Sequence, residues 1–339
     1  MTSKPSEFLT FLEYFINDYL NIIAGYSKNT IKSYKYSFKL FFDFMLTEKN
    51  KTPDQITFKS VNASVMLGFM KWLKEKRGCC QSTLQQRLAA FLTFSEYAQN
   101  RNFDAACSFR NGVLSVPRRT VPKKNIAFFT VNEMEILLKT PDDTTEIGYR
   151  DLILMSVMYA SGARAQEICD LTVGSIIFDS ERTSLIIHGK GDKTRRILLS
   201  KQCAEQLKKY LIHKRTIDKP ERYVFYANGN KQMTIAGIEK TVKKYVRLAK
   251  EQNPYLFQEE SYSPHSFRHS TATHMLEAGV PLIVIKNFLG HVSVQTTQIY
   301  AEISANKANQ YLKEWNSKWF PNKEKEYLEK QNQLDFLKV

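Results

Sequence analysis

Ile31, Tyr34, Phe38, Phe41, Phe42 and Met45 recur every three or four residues. That spacing predicts a helix burying one aromatic stripe, with Ser27 or Thr30 as its cap. Val65, Phe69, Trp72 and Leu73 repeat the pattern until Gly78, and Ser82 opens a further run through Leu84, Leu88, Phe91, Leu92 and Tyr97. From Phe8 to Gly112 only helices are expected. The aromatics read as the core that joins them.

Beyond Gly112 the period changes. Thr130 is placed to cap a helix containing Met134, Leu137 and Leu138, and a second helix is predicted from Tyr149 to Tyr159. Ser184 to His188 and Arg195 to Leu199 are β-rich and flank Gly189-Lys190-Gly191-Asp192, which has the composition of a hairpin turn. Helices resume near Gln202 and Thr234. Ser263-Pro264 is a cap followed by proline at the first helical position, so a helix is predicted to run to Glu277, with Gly279 ending it. Short helices are expected from Pro281 and Ser293. From Asn306 apolar and charged residues alternate around Tyr311, Leu312, Trp315, Trp319 and Phe320. The predicted class is mainly α with a small β-sheet.

Residues 116–128 form the clearest break, because Pro117 and Pro122 stop helices. The stretch holds Arg118, Arg119, Lys123 and Lys124 and no acid. The expected organisation is a helical domain over 1–115, a basic linker over 116–128 and a second domain over 129–305. A tail over 306–339 follows.

Charge narrows the class of partner. Lys and Arg number 49 against 34 acids, a net +15, which points to a polyanion such as nucleic acid or an acidic membrane surface. No apolar stretch approaches the ~18 residues of a membrane span, and the N-terminus lacks the features of a secretory signal. The five cysteines, at 79, 80, 107, 169 and 203, lack metal-ligand spacing and read as reduced thiols. The expected compartment is the cytoplasm, with no membrane partner. A basic linker between two basic domains suits a clamp along DNA phosphates.

Candidate chemistry gathers in the second domain. His265 and Arg268 lie three apart and leave one face of the Pro264 helix. His269 is a weaker candidate on that surface, while Ala272, Met275 and Leu276 are expected to face the core. Arg164 follows Gly162 at a helix start, where exposed amides favour a phosphate; an i,i+3 pairing with Glu167 is the plainer role and would also orient the guanidinium. Lys190 sits at the hairpin tip. Lys193, Arg195 and Arg196 are expected to grip a DNA backbone. His291 follows Leu289-Gly290, and Tyr300 comes nine residues later. Attack on a phosphodiester places extra negative charge on the non-bridging oxygens. Arginine forks neutralise it bidentately, imidazoles move protons and a phenol can act as nucleophile.

Taken in order, Ser161-Gly162-Ala163-Arg164-Ala165-Gln166-Glu167-Ile168, Gly189-Lys190-Gly191-Asp192-Lys193, His265-Ser266-Phe267-Arg268-His269, Leu289-Gly290-His291 and Tyr300 resemble the tyrosine recombinase (phage integrase-like) family. The likeness covers the second domain to Tyr300, and the helical N-terminal part is similar to the family's SAM-like core-binding domain. Ala163 and Phe267 stand where leucine is usual, and the 39 residues after Tyr300 exceed the tail of compact Xer-type members. Neither substitution removes a functional group; the departures bear on the subfamily.

The resemblance implies a C-shaped clamp on double-stranded DNA, with a mixed α+β catalytic domain. Tyr300 would form a 3′-phosphotyrosyl bond, with Arg164 and Arg268 on the non-bridging oxygens. Lys190 would protonate the leaving 5′-oxygen, His265 would assist proton transfer and His291 would hydrogen-bond the phosphate. It also implies a homo-tetramer on paired sites, or a hetero-tetramer with a second recombinase; Trp315, Trp319 and Phe320 of the 306–339 tail would then dock on a neighbouring protomer or pack on their own domain. No metal, ATP or other cofactor is expected. A type IB topoisomerase, a non-catalytic helical DNA-binding protein and a metal-dependent transposase remain alternatives at this point. Gln85, Gln86 and Arg87, and the stretch from Lys240 to Arg247, are candidate DNA contacts.

Overall fold

A computed structural model describes residues 5–118, 126–179, 182–189, 193–227 and 231–290. The chain divides into two compact units, residues 1–124 and 125–339.

Among the described residues, all regular structure in the first unit is helical. α1 (Glu7–Tyr14) is capped by Ser6 and continues as π-helical turns from Phe15 to Ile23. α2 (Lys28–Lys49) starts at Ser27, whose hydroxyl accepts from the Thr30 amide at 3.3 Å, and ends at the left-handed Asn50. α3 (Ala63–Glu75), α4 (Gln81–Gln99) and α5 (Phe103–Leu114) follow. The aromatic stripes meet in one core. Phe8 packs edge-on against Phe58, Phe94 and Phe109 at 5.3, 5.3 and 5.7 Å between centroids. Phe41 does the same against Phe69 and Phe91, at 5.2 Å each. These edge-to-face pairs add to the free energy of area burial.

Arg87 does not present a free cationic tip on this unit. It donates to the Ser33 carbonyl at 3.2 Å and the Ser37 hydroxyl at 3.3 Å, and its guanidinium lies over Tyr36. It braces α4 against α2, and Gln86 joins it by donating to the Ser33 hydroxyl at 3.2 Å.

The second unit places helices around a three-stranded sheet. α6 (Val131–Lys139), α7 (Glu146–Ser161) and the short α8 (Ala165–Cys169) precede β1 (Ile176–Phe178), β2 (Thr183–His188) and β3 (Thr194–Leu198). The strands pair antiparallel in the order β1-β2-β3, with Leu185 opposite Ile197 and Ile187 opposite Arg195. α9 (Lys201–His213), α10 (Ile235–Gln252), α11 (Pro264–Glu277) and α12 (Leu282–Leu289) complete the described part. β1 escapes the hydrophobic pattern because three residues show no alternation. α7 outruns its predicted span because Thr145 caps it and Gly162 ends it.

Two buried polar joints hold α11 in this unit. Glu133 closes the cap of α6 by accepting from Thr130 N at 2.8 Å, and it also accepts from Phe257 N at 2.6 Å. That second bond fixes Phe257 in a left-handed conformation, φ +57°, just before α11. Phe129 stacks on Tyr262 at 4.6 Å, and its amide donates to the Ser270 hydroxyl on α11 at 2.7 Å. Glu133→Ala leaves those donors buried and unmatched, so urea unfolding should show a loss of about 3 kcal/mol. Glu135→Ala, on the exposed face of α6, should leave the urea midpoint close to that of the parent.

Candidate active site

α7 ends where its chain must turn. Gly162 caps it at φ +55°, and a Cβ there would lie 2.8 Å from Leu289 Cδ2. Glycine is therefore needed twice, for the backbone angle and for the close approach of α12. The Ser161 hydroxyl donates to Val157 O at 2.6 Å and accepts from Ala163 N at 3.2 Å, which shapes the turn into α8.

Arg164 is the N-cap residue of α8, at the end of that turn. Its amide donates to Glu167 Oε2 at 2.8 Å and its Nη1 to Oε1 at 2.9 Å. The Arg164 side chain remains 37% exposed while that of Glu167 is only 5% exposed. The carboxylate thus anchors a guanidinium that still faces solvent.

Arg195 corrects the expectation of a DNA-backbone grip. Its side chain is 12% exposed, and Nη1 and Nη2 donate to the two oxygens of Glu167 at 3.0 and 2.7 Å. Nε donates to Phe288 O at 3.1 Å, at the end of α12. The cause is strand alternation: Arg195 shares a face with Ile197 and Leu199, both buried, so it points inward. Arg196 points the other way and is exposed, with Nε on the Ser184 hydroxyl at 2.8 Å. Lys193 is also exposed, and its carbonyl accepts from Gly189 N at 2.8 Å to close the base of the hairpin.

Arg268 leaves α11 and is 3% exposed. Nη1 donates to Gly162 O at 2.8 Å and Nη2 to Leu289 O at 2.7 Å. It therefore ties the C-termini of α7 and α12 together. Thr271 adds a bond to Tyr159 O at 2.7 Å, and the Tyr159 hydroxyl meets His274 Nδ1 at 2.8 Å. His265 lies exposed at the start of α11, with its ring 6.3 Å from that of His269. Arg164, at the cap of α8, and the buried Arg268 both act by charge on His265, which precedes Arg268 by three residues on α11. Arg118 is exposed at the end of the described part of the first unit. Lys190, His291, Tyr300, Arg119, Lys123 and Lys124 lie outside the described residues.

The electrostatics follow from this crowding of cations. Desolvation, then the charges of Arg268 and Arg164, hold His265 below the ordinary histidine range. Each of these effects favours the neutral imidazole, the form able to accept a proton. Burial and the charges of His265 and Arg268 push His269 down to about 4. Burial alone would raise Glu167, but the hydrogen bonds from Arg195 and the Arg164 amide, with the charges of both arginines, lower it overall. Among the described residues no helix is long and apolar enough to cross a membrane.

The model of the phage integrase family matches residues 127–307, and that of the phage integrase SAM-like domain matches residues 7–104. The chain belongs to the phage integrase family of tyrosine recombinases. Tyrosine recombinase XerC from Chlamydia caviae is 30% identical over 304 residues, which cover 85% of this chain and 92% of that protein. Two solved structures share the integrase fold. XerH site-specific recombinase bound to difH substrate has a TM-score of 0.62 at 22% identity, covering 85% of this chain and 79% of its own. The Tn1549 transposon integrase in complex with circular intermediate DNA has a TM-score of 0.67 at 14% identity, covering 88% and 95%.

Within this integrase-family site, sequence reasoning missed the part played by Arg195. The inward phase it shares with Ile197 was the available signal. Glu167 has a testable pH signature. Its folded pKa is depressed, so its stabilisation is present above the unfolded value near 4.5 and is lost as pH falls through the folded value. The stability gap between the parent and Glu167→Gln should therefore be full at pH 7 and shrink steadily in denaturation series taken below pH 4.5.

Proposed function

We propose that this chain is a site-specific DNA recombinase that breaks and rejoins duplex DNA through a covalent bond to Tyr300. The observation that carries the reading is a cluster of charge around His265: a solvent-facing Arg164 anchored at the cap of α8, and a buried Arg268 on α11, both acting on that imidazole. It is supported by family membership and by a match to XerC-type recombinases over most of both chains.

Arg164 is the cation best placed to reach a scissile phosphate, since its guanidinium is anchored by Glu167 yet open to solvent. Arg268 sets the positive field beneath it and aligns the two helix ends. In cleavage, the Tyr300 oxygen bonds to phosphorus as the bond to the 5′-oxygen breaks. The phenol proton passes to an acceptor, for which neutral His265 is the candidate. Lys190 gives the departing 5′-oxygen its proton. Attack of a 5′-hydroxyl on the phosphotyrosine reverses these transfers and restores the phenol, so the bond is conserved without ATP. His291 is assigned a hydrogen bond to the phosphate.

The grip on DNA extends to other basic surfaces in this reading. A groove of about 800 Å³ beside α10 is lined by Arg150, Lys240, Lys243, Lys244 and Arg247. Together with Arg118, Arg119, Lys123, Lys124, Lys193 and Arg196, these side chains are candidates for phosphate contacts. Exchange between two duplexes calls for four copies on paired sites, either all of this chain or shared with a second recombinase. The aromatics of the 306–339 tail are candidates for contact between copies.

The test uses a nicked duplex carrying a site that the full chain selects from random-sequence DNA. Nicking lets the short cleaved piece diffuse away and traps the adduct. The parent should form a denaturation-resistant protein–DNA band in the presence of EDTA, and Tyr300→Phe should form none. A band that persists in Tyr300→Phe, or one that EDTA abolishes, contradicts this chemistry.

A further inference from the structure

We propose that Arg195 is a positioning residue that sets the mutual geometry of Arg164 and of the chain entering Lys190 and His291. The proposal rests on the recombinase reading above. It assigns Arg195 no contact with DNA.

Arg195 touches each of those three approaches. Through Glu167 it is one carboxylate away from Arg164, and both oxygens of that carboxylate are engaged by both arginines or the Arg164 amide. On the hairpin side, a Cβ built on Gly189 would lie 3.5 Å from Glu167 Oε1 and 3.6 Å from Arg195 Nη1. The backbone that leads directly into Lys190 thus rests on the ion pair. On the α12 side, Nε holds Phe288 O at 3.1 Å, and a Cβ built on Gly290 would lie 3.1 Å from Arg195 Cδ. Gly290 is at φ +67° and immediately precedes His291.

Only a planar fork meets these demands together. Two parallel N–H bonds match the carboxylate edge while a third, from Nε, serves the carbonyl. An ammonium at the same place supplies charge but cannot hold that geometry. The aliphatic stem of Arg195 also passes beneath Gly290, so the glycine is part of the fit. A shift of about 1 Å in a reacting group can cost on the order of a hundredfold in rate. Loss of the fork is therefore expected to slow cleavage without weakening binding.

The experiment compares the full-length parent with Arg195→Met, Arg195→Lys and Gly290→Ala on the selected nicked duplex. Adduct formation at saturating DNA should fall about a hundredfold in Arg195→Met. DNA affinity and its salt dependence should stay at parent values, and Arg195→Lys should not restore the rate. Gly290→Ala, which keeps the arginine, should show the same split between rate and affinity. An Arg195→Met protein that binds more weakly, with a salt slope lower by about 0.9 and an unchanged rate at saturation, marks a phosphate contact and overturns the proposal. Full rescue by lysine overturns it too.

Hydrogen exchange on the free proteins needs no activity. The Gly189 and Gly290 amides, bonded to Lys193 O and Asn287 O, should exchange faster in Arg195→Met while those of α9 do not change. Unchanged exchange at both glycines would sink the positioning role whatever the parent does to DNA. Faster exchange in Arg195→Met, with a parent that makes no adduct, would leave Arg195 as the hub and remove only the recombinase reading.

Discussion

A guanidinium cannot lose its water unless something of opposite polarity replaces it, and Arg268 meets that condition with two helix ends. Gly162 caps α7 and Leu289 is the last residue of α12, so the carbonyls it holds belong to the negative poles of both helices. Such carbonyls lack intrahelical partners and must be satisfied from outside. One buried cation does this for both at once. The packing of α7, α11 and α12 is organised around that mutual need.

A second charged joint lies beside the first. Glu167 is buried, which is costly for a carboxylate, yet it faces two arginines and the capping amide of its own helix. Removing Arg195 would strip the carboxylate of two hydrogen bonds and leave it to Arg164 alone. The sheet and the helices are thereby coupled through polar atoms at a place where apolar packing would tolerate small slippage. Ser270 and Thr271 extend this coupling along α11, bonding to Phe129 N and Tyr159 O.

The sequence made some of this plain and concealed the rest for definite reasons. The helices of the first unit were legible because their aromatics repeat at helical spacing and meet in one core. Arg164, His265 and Arg268 stood out because their side chains suit phosphate chemistry, and each leaves a helix whose start carries a clear cap or turn. Arg195 was misplaced because four cationic residues between 190 and 196 look like one basic surface, although strand alternation sends Arg195 inward. Arg87 was hidden similarly: its partners are a carbonyl and hydroxyls on α2, 50 and 54 residues away, and carry no charge signal. Local pattern reports elements and side-chain types. It does not report which distant polar groups share a hydrogen bond.

The two carbonyls on Arg268 bear on the cost of a chemical step. A cation in water must turn its solvent shell each time charge shifts nearby. Arg268 answers to fixed backbone dipoles, whose orientation is settled when α7 and α12 fold against α11. In the proposed reaction, a charge developing near Arg268 would meet a field that is already aligned, leaving little reorganisation energy for the reaction to supply.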